Sequence, residues 1–131
     1  MADDDLLEVA RAARDRAHAP YSGFAMGAAV RAAGGSVHPG ALVENVSLGL
    51  AMCAERVAMF SAVAAGAGAI EADALFSPPT DGRTTLPCGA CLQVAVEPGG
   101  PEVEVVAANT EGDVQRHRPG DLAPHLPRKD T

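Results

Sequence analysis

Cys53-Ala54-Glu55-Arg56 and, further along, Pro87-Cys88-Gly89-Ala90-Cys91 together hold all three cysteines of the chain. Helix-forming residues follow each group, so both read as places where a helix begins, and the rest of the fold is laid out around them. At a helix start the first backbone N–H groups lack intrahelical acceptors and the macrodipole is positive, which lowers a thiol's pKa and favours metal binding. Two such starts can converge on one ion. Three thiolates match the ligand count of a catalytic zinc site, whose fourth position is left to water with a pKa near 7. The pattern therefore points to Zn2+ held by Cys53, Cys88 and Cys91, and to hydrolytic chemistry.

Glu55 stands two residues after the first ligand, within reach of a metal-activated water, and can take a proton from that water and hand it on. Read alone, a Glu early in a helix only complements the dipole; the neighbouring cysteine is what singles it out. Three thiolates on Zn2+ leave a net charge of −1, which weakens the metal as a Lewis acid. Arg56, always charged, is the candidate to donate to a thiolate sulfur and offset that charge, with an ordinary surface ion pair as the alternative.

Outward from these motifs, residues 5–14 place Leu6, Val9, Ala10 and Ala13 on one stripe of an amphipathic helix that ends before Pro20. Residues 24–32 and 36–43 read as two antiparallel strands around the turn-forming pair Gly34-Gly35. Residues 51–65 read as a helix, apolar all round and buried, stopped by Gly66. A strand at 72–77, a turn-rich loop at 78–83, a helix at 89–96, a strand at 103–108 and a last strand at 114–118 follow. The tail from Pro124 reads as loosely ordered. Strands alternating with helices predict an α/β domain on a mixed sheet.

The 131 residues fit a single domain spanning 1–131. A net charge of −7 with only 10 Lys and Arg argues against a nucleic-acid footprint and favours a small-molecule substrate. No segment approaches the length of a membrane span, and Met1-Ala2-Asp3-Asp4-Asp5 lacks the basic then apolar pattern of a signal peptide, so a cytoplasmic protein is expected. An odd cysteine count with a Cys-x-x-Cys pair suits metal binding better than disulfides. His18, His38, His117 and His125 stand at no motif spacing.

Four blocks in order, Tyr21-Ser22-Gly23-Phe24-Ala25-Met26-Gly27-Ala28, Val43-Glu44-Asn45-Val46-Ser47, Cys53-Ala54-Glu55-Arg56 and Pro87-Cys88-Gly89-Ala90-Cys91-Leu92-Gln93-Val94, carry a resemblance over nearly the whole chain. In them the sequence resembles the small homotetrameric type of cytidine deaminase. The resemblance implies a three-layer α/β/α sandwich around a five-stranded mixed sheet, zinc on the three cysteines, Glu55 as proton shuttle, and attack of activated water on C4 of a pyrimidine. It also implies that Phe24 packs against the base, that Glu44 binds the ribose, and that the Ala54 backbone N–H faces the ring carbonyl. A core aromatic at a strand start is the other reading of Phe24. A homotetramer is implied, with a dimer or a monomer as the alternative.

The departures from the family pattern cluster where the sugar is held. Leu42 stands where the family usually has a ribose-binding Asn, Leu48 where it has Tyr, and Leu92 where it has Arg. The aromatic usual near the C-terminus has no counterpart in His125-Leu126-Pro127. Losing a hydrogen bond to a substrate hydroxyl changes discrimination by orders of magnitude, so a modified cytosine nucleoside, a blasticidin-type antibiotic or another aminated heterocycle is an alternative substrate. A structural three-cysteine zinc module without catalysis is the alternative from another class, and it would need a fourth ligand such as His38 or His117.

Overall fold

Small side chains set how closely the layers of this protein approach. The structure, a computed structural model, describes residues 3–129; positions 1–2, at the acidic start, and 130–131, at the end of the tail, lie outside the described residues. The first helix, α1 (Asp3–Arg14), buries Leu6, Ala10 and Ala13 on one stripe, as its periodicity predicts. It lies on strand β1 (Gly27–Ala32) at Gly27, where an added Cβ would come within 2.1 Å of the Ala10 carbonyl oxygen. Only glycine permits that approach.

After β1 the chain turns through Gly34-Gly35, with Gly35 at φ 92°, into β2 (Val37–Ala41), and the two strands pair antiparallel as expected. Helix α2 (Ala54–Ala64) leads to β3 (Ile70–Ser77), and α3 (Gly89–Gly99) leads to β4 (Glu104–Asn109) and β5 (Val114–His117). The sheet runs β2-β1-β3-β4-β5. Its β3–β4 pair is parallel, joined by the crossover that carries α3, and the other pairs are antiparallel. Leu6 and Ala10 of α1 pack with Ala29, Ala74, Phe76 and Val106 on one face, while Ala58 and Met59 of α2 and Ala95 of α3 pack with Val30, Leu75 and Val105 on the other. The result is the expected α/β/α sandwich around a five-stranded mixed sheet.

The structure corrects several boundaries. The strand expected over 24–32 begins only at Gly27, and Phe24 belongs to the segment leading into it. The helix expected over 51–65 begins at Ala54, because Val43 and Met52 exchange backbone hydrogen bonds of 3.0 and 2.8 Å and hold 51–52 extended. That helix is not buried all round: Ala58, Met59 and Ala62 face the core, but Phe60 and Val63 are 46% and 58% exposed. A 3-10 turn at Leu48–Leu50 and a short helix α4 (Pro119–Leu122) were not foreseen. Beyond α4 no regular element follows up to 129, and Gln93 Nε2 donates to the Pro127 carbonyl at 3.0 Å.

Candidate metal centre and active site

Cys53 is the residue capping α2 and Cys88 the residue capping α3, both in extended backbone with no side-chain hydrogen bond to the helix they open. At those positions a Ser or Asp would turn its oxygen back onto the first-turn N–H groups; here the sulfurs are left for another partner. Cys91 follows Cys88 by three residues, in the first turn of α3, so its side chain lies on the same face. All three sulfurs lie within 4.8 Å of one another. Cys53 Sγ is 3.8 Å from Cys88 Sγ, and Cys88 Sγ is 3.5 Å from Cys91 Sγ. A tetrahedral ion with Zn–S bonds of about 2.3 Å separates its sulfurs by about 3.8 Å, so the donor set fits zinc in both chemistry and spacing. Cys91 is buried, Cys53 half-buried and Cys88 exposed, which leaves the site open on one side.

The electrostatics of the cluster follow from its crowding. Hydrogen bonding from Cys91, helped by Arg56 and Cys88, brings the Cys53 thiol down to about 5, while the same sharing with Cys53, together with burial, pushes Cys91 up. Arg56 Nη2 donates to Cys53 Sγ at 3.4 Å, and that bond raises the guanidinium further above its usual range. Glu55 sits in the first turn of α2 with 1% of its surface exposed, and its Oε1 is buried with no hydrogen-bond partner. Burial first, and the Cys53 charge after it, raise its carboxyl to about 7. A buried acid with an unsatisfied oxygen beside three sulfurs is the arrangement that a metal-activated water would complete.

The remaining sequence-derived candidates lie on α2, against the core cluster that Cys53 and Cys91 share, and against the turn before β1. Ala54 is fully buried and opens α2, where first-turn backbone N–H groups have no intrahelical acceptor. Phe24 and Leu42 are half-buried and pack with Cys53 against the cluster beneath α2 and α3. Glu44 uses both oxygens on the turn before β1: Oε1 accepts from the Tyr21 and Ser22 backbone N–H at 3.0 and 3.2 Å, and Oε2 from the Ser22 hydroxyl at 2.6 Å. The Ser22 hydroxyl, more than the Tyr21 N–H, holds this carboxyl below its ordinary value. An apolar cleft of about 280 Å3 runs from Tyr21 and Glu44 along Val46 and Leu48 to Ala51. A larger cleft of about 730 Å3, lined by residues such as Arg31, Glu71, Glu102 and Arg116, contains none of the cysteines, and the chemistry of the donor set outweighs its size.

Three features of the site escape a reading of the sequence. The Tyr21-Ser22 and Glu44 blocks are tied to each other, a pairing across 22 and 23 positions that no local pattern announces. The loop ahead of Cys88 is fastened by Thr84, which donates to an Asp113 carboxylate oxygen and accepts from Asn109 Nδ2 at 3.0 Å. Asp73, in the middle of β3, is a buried carboxyl in a run that otherwise reads as apolar strand. Only this last carries a signal in the sequence, as the lone acidic residue between Ala72 and Ser77.

Comparison with known proteins matches this geometry. Residues 1–107 match the family described as cytidine and deoxycytidylate deaminase zinc-binding region. A cytidine deaminase of Halalkalibacterium halodurans is 40% identical over 119 residues, 91% of this chain and 89% of that protein. One of Mycobacterium tuberculosis is 40% identical over 108 residues, 82% of this chain and 76% of that protein. The crystal structure of cytidine deaminase from Burkholderia pseudomallei superposes with a TM-score of 0.88 at 48% identity, covering 95% of this chain and 98% of that one. Among the described residues no helix is long and apolar enough to cross a membrane. With sequence, fold and sulfur geometry in agreement, the chain belongs to the zinc-binding cytidine and deoxycytidylate deaminase family.

Proposed function

We propose that the protein hydrolyses the exocyclic amino group of a cytosine nucleoside, converting cytidine or deoxycytidine and water to uridine or deoxyuridine and ammonia. The observation that carries this reading is the buried Glu55 oxygen without a partner beside three sulfurs at zinc spacing. Cys53, Cys88 and Cys91 would hold zinc, which would supply the Lewis acid that makes water a nucleophile near neutral pH. Glu55 would take the first proton of this water and pass it to the ring nitrogen next to C4, then take the second from the hydroxyl added at C4 and give it to the departing amine, which leaves as ammonia. A carboxyl raised to about 7 is suited to both halves of that task. Arg56 offsets part of the charge that three thiolates place on a divalent ion. Phe24 packs against the base, and the Ala54 N–H faces its carbonyl. Glu44 holds the sugar: a carboxylate offers about four acceptor sites, and its three bonds to Tyr21 and Ser22 fix its orientation while leaving room for a sugar hydroxyl.

Leu42 supports a second reading of the substrate. Half-buried against the same core cluster as Phe24, it gives a sugar hydroxyl no hydrogen bond, which favours a substrate poorer in hydroxyls there, deoxycytidine before cytidine, or a modified cytosine nucleoside. The ratio of kcat/KM for the two nucleosides tests this, and equal values in wild type and in Leu42→Asn overturn it.

The assembly proposed is a homotetramer, supported by the exposed apolar side chains Phe60 and Val63 on α2 and Val46, Leu48 and Leu50 ahead of it. The compartment proposed is the cytoplasm, supported by three free thiols placed together. The acidic balance of the chain favours a free nucleoside over a polynucleotide. The deciding experiment is ammonia release from cytidine and deoxycytidine by the zinc-loaded protein beside Glu55→Ala. Loss of roughly 10²- to 10⁴-fold in rate with zinc retained is expected of that variant. Wild-type protein that binds zinc and consumes neither nucleoside overturns the assignment.

A further inference from the structure

Of the three sulfurs, that of Cys88 is the least anchored by its own element. Cys91 is buried within α3, and Cys53, at the cap of α2, receives Arg56. Cys88 is exposed and ends the stretch 78–88, which joins β3 to α3 with no regular element beyond an isolated Thr80–Arg83 bridge. Where its sulfur stands therefore depends on what fixes that stretch. Thr80 and Arg83 exchange backbone hydrogen bonds of 2.7 and 3.0 Å, and the Thr85 hydroxyl donates to the Pro78 carbonyl at 3.2 Å; these bonds close the loop on itself. Leu86 packs half-buried on the cluster that includes Cys91, but apolar contact has no direction. A directional tie to the rest of the protein runs through Thr84. Ser77 and Asn109 end two parallel strands in register, so Asn109 stands at the sheet end from which the loop departs. The β4–β5 turn orients the Asn109 amide: Oδ1 accepts from the Glu111 and Asp113 N–H at 2.8 and 3.2 Å, which leaves Nδ2 to donate to the Thr84 hydroxyl at 3.0 Å. That hydroxyl gives its single proton to the Asp113 carboxylate, which can only accept. Amide, hydroxyl and carboxylate thus form a chain of fixed direction, with Thr84 and Asn109 both buried, four residues ahead of Cys88.

We propose that Thr84 and Asn109 are positioning residues that set the place of the Cys88 sulfur, and with it the one zinc ligand delivered by a loop. The inference rests on the zinc site of the reading above, and not on which nucleoside is consumed. Both residues act through the backbone of 84–88. Without their hydrogen bond the loop keeps its internal closure but can shift against the end of the sheet, and a supporting shell that is about 1 Å too loose is enough to spoil a site. Cys88, the exposed ligand, then spends less time at bonding distance from an ion held by Cys53 and Cys91. A methyl in place of the Thr84 hydroxyl would also leave the buried Asn109 Nδ2 without the partner it has now.

The test compares the zinc affinity of wild type, Thr84→Val and Thr84→Ser, read by competition with a chromophoric chelator. The valine variant keeps the shape and loses the hydroxyl; it is expected to bind zinc roughly 10- to 100-fold more weakly, the usual cost of losing a group that orients a metal ligand. The serine variant keeps the hydroxyl and is expected to bind zinc like wild type. With Co2+ in place of zinc, the sulfur-to-cobalt absorption, which reports the thiolates bound, is expected to weaken in the valine variant and to return in the serine variant. A general loss of stability leaves that absorption unchanged in folded protein saturated with metal, so an unaltered spectrum in a valine variant that merely melts lower overturns the proposal. Wild-type zinc affinity in the valine variant overturns it as well. Should that variant not fold, Asn109→Asp keeps the oxygen that accepts from the turn and removes the donor to Thr84; weaker zinc binding with a weaker absorption is expected, and unchanged values overturn the proposal. Wild-type protein that binds zinc and consumes neither nucleoside, while these variants behave as expected, counts against the substrate assignment alone. Wild-type protein that takes up no zinc overturns both.

Discussion

Arg56 reaches back over three residues to the Cys53 sulfur, so a permanent positive charge stands against a cluster in which three thiolates would share one divalent ion. Removing it leaves the excess negative charge uncompensated beside the metal. Arg56→Ala is expected to weaken zinc binding or turnover by roughly 10- to 100-fold, read as zinc transferred to a chromophoric chelator and as ammonia released. Lysine at 56 restores the charge but not the planar fork, and should recover only part of the loss. At this scale the sequence is most legible where chemistry is local: Cys53, Glu55 and Arg56 are neighbours, and Cys88 and Cys91 share one helical turn. It is least legible where partners are remote. Nothing near Glu44 says that its oxygens belong to Tyr21 and Ser22, and nothing near Thr84 says that it pairs with Asp113.

Helices and strands are placed here by a few residues at which the backbones nearly touch. A Cβ on Gly40 of β2 would come within 2.4 Å of the Ala54 carbonyl oxygen and 2.5 Å of the Ala58 nitrogen, pushing away the start of α2 and with it the first sulfur. Gly40→Ala is expected to destabilise the fold by about 1–3 kcal/mol, the range for overpacking, and to lower activity further than stability alone explains. Gly34→Ala, where a Cβ meets nothing within 4 Å, is the control and should melt like wild type. The loop that delivers Cys88 is fastened to the β4–β5 turn by Asp113, whose carboxyl Thr84 holds below its ordinary 3.8. A carboxyl lowered in the folded state stabilises it fully above the unfolded value and loses that contribution as pH falls through the folded one. The melting temperature should therefore drop below about pH 4 more steeply in wild type than in Asp113→Asn, and parallel curves would remove Asp113 from the account. Periodicity located every strand of the sheet and the first three helices, because each has a clear apolar pattern or a breaker at its end. It misplaced the start of α2 by three residues because the Val43–Met52 pairing, which keeps 51–52 extended, is tertiary.

Across the whole molecule, the layering follows from strands alternating with helices, while the order of the sheet, with β1 between β2 and β3, depends on long-range pairing that no local signal encodes. The exposed Phe60 and Val63 make the same point, because residues 51–65 read as apolar all round and only the fold decides which side meets the core. If that second side meets another copy, the particle is larger than one chain of 13.3 kDa. Light scattering on the zinc-loaded protein should give about four times that mass, and Phe60→Asp with Val63→Asp should reduce it; a single-chain mass in wild type would end the tetramer reading.

Cys53 and Cys88 lie 35 positions apart and open different helices, so an ion gripped by both is a clasp as well as a reagent. It closes a long stretch of chain that the unfolded protein leaves open, and part of its binding energy goes into holding the native state together. Starved of metal, such an enzyme loses more than its rate: the unclasped chain spends longer unfolded, within reach of proteases, and its half-life becomes a gauge of zinc supply.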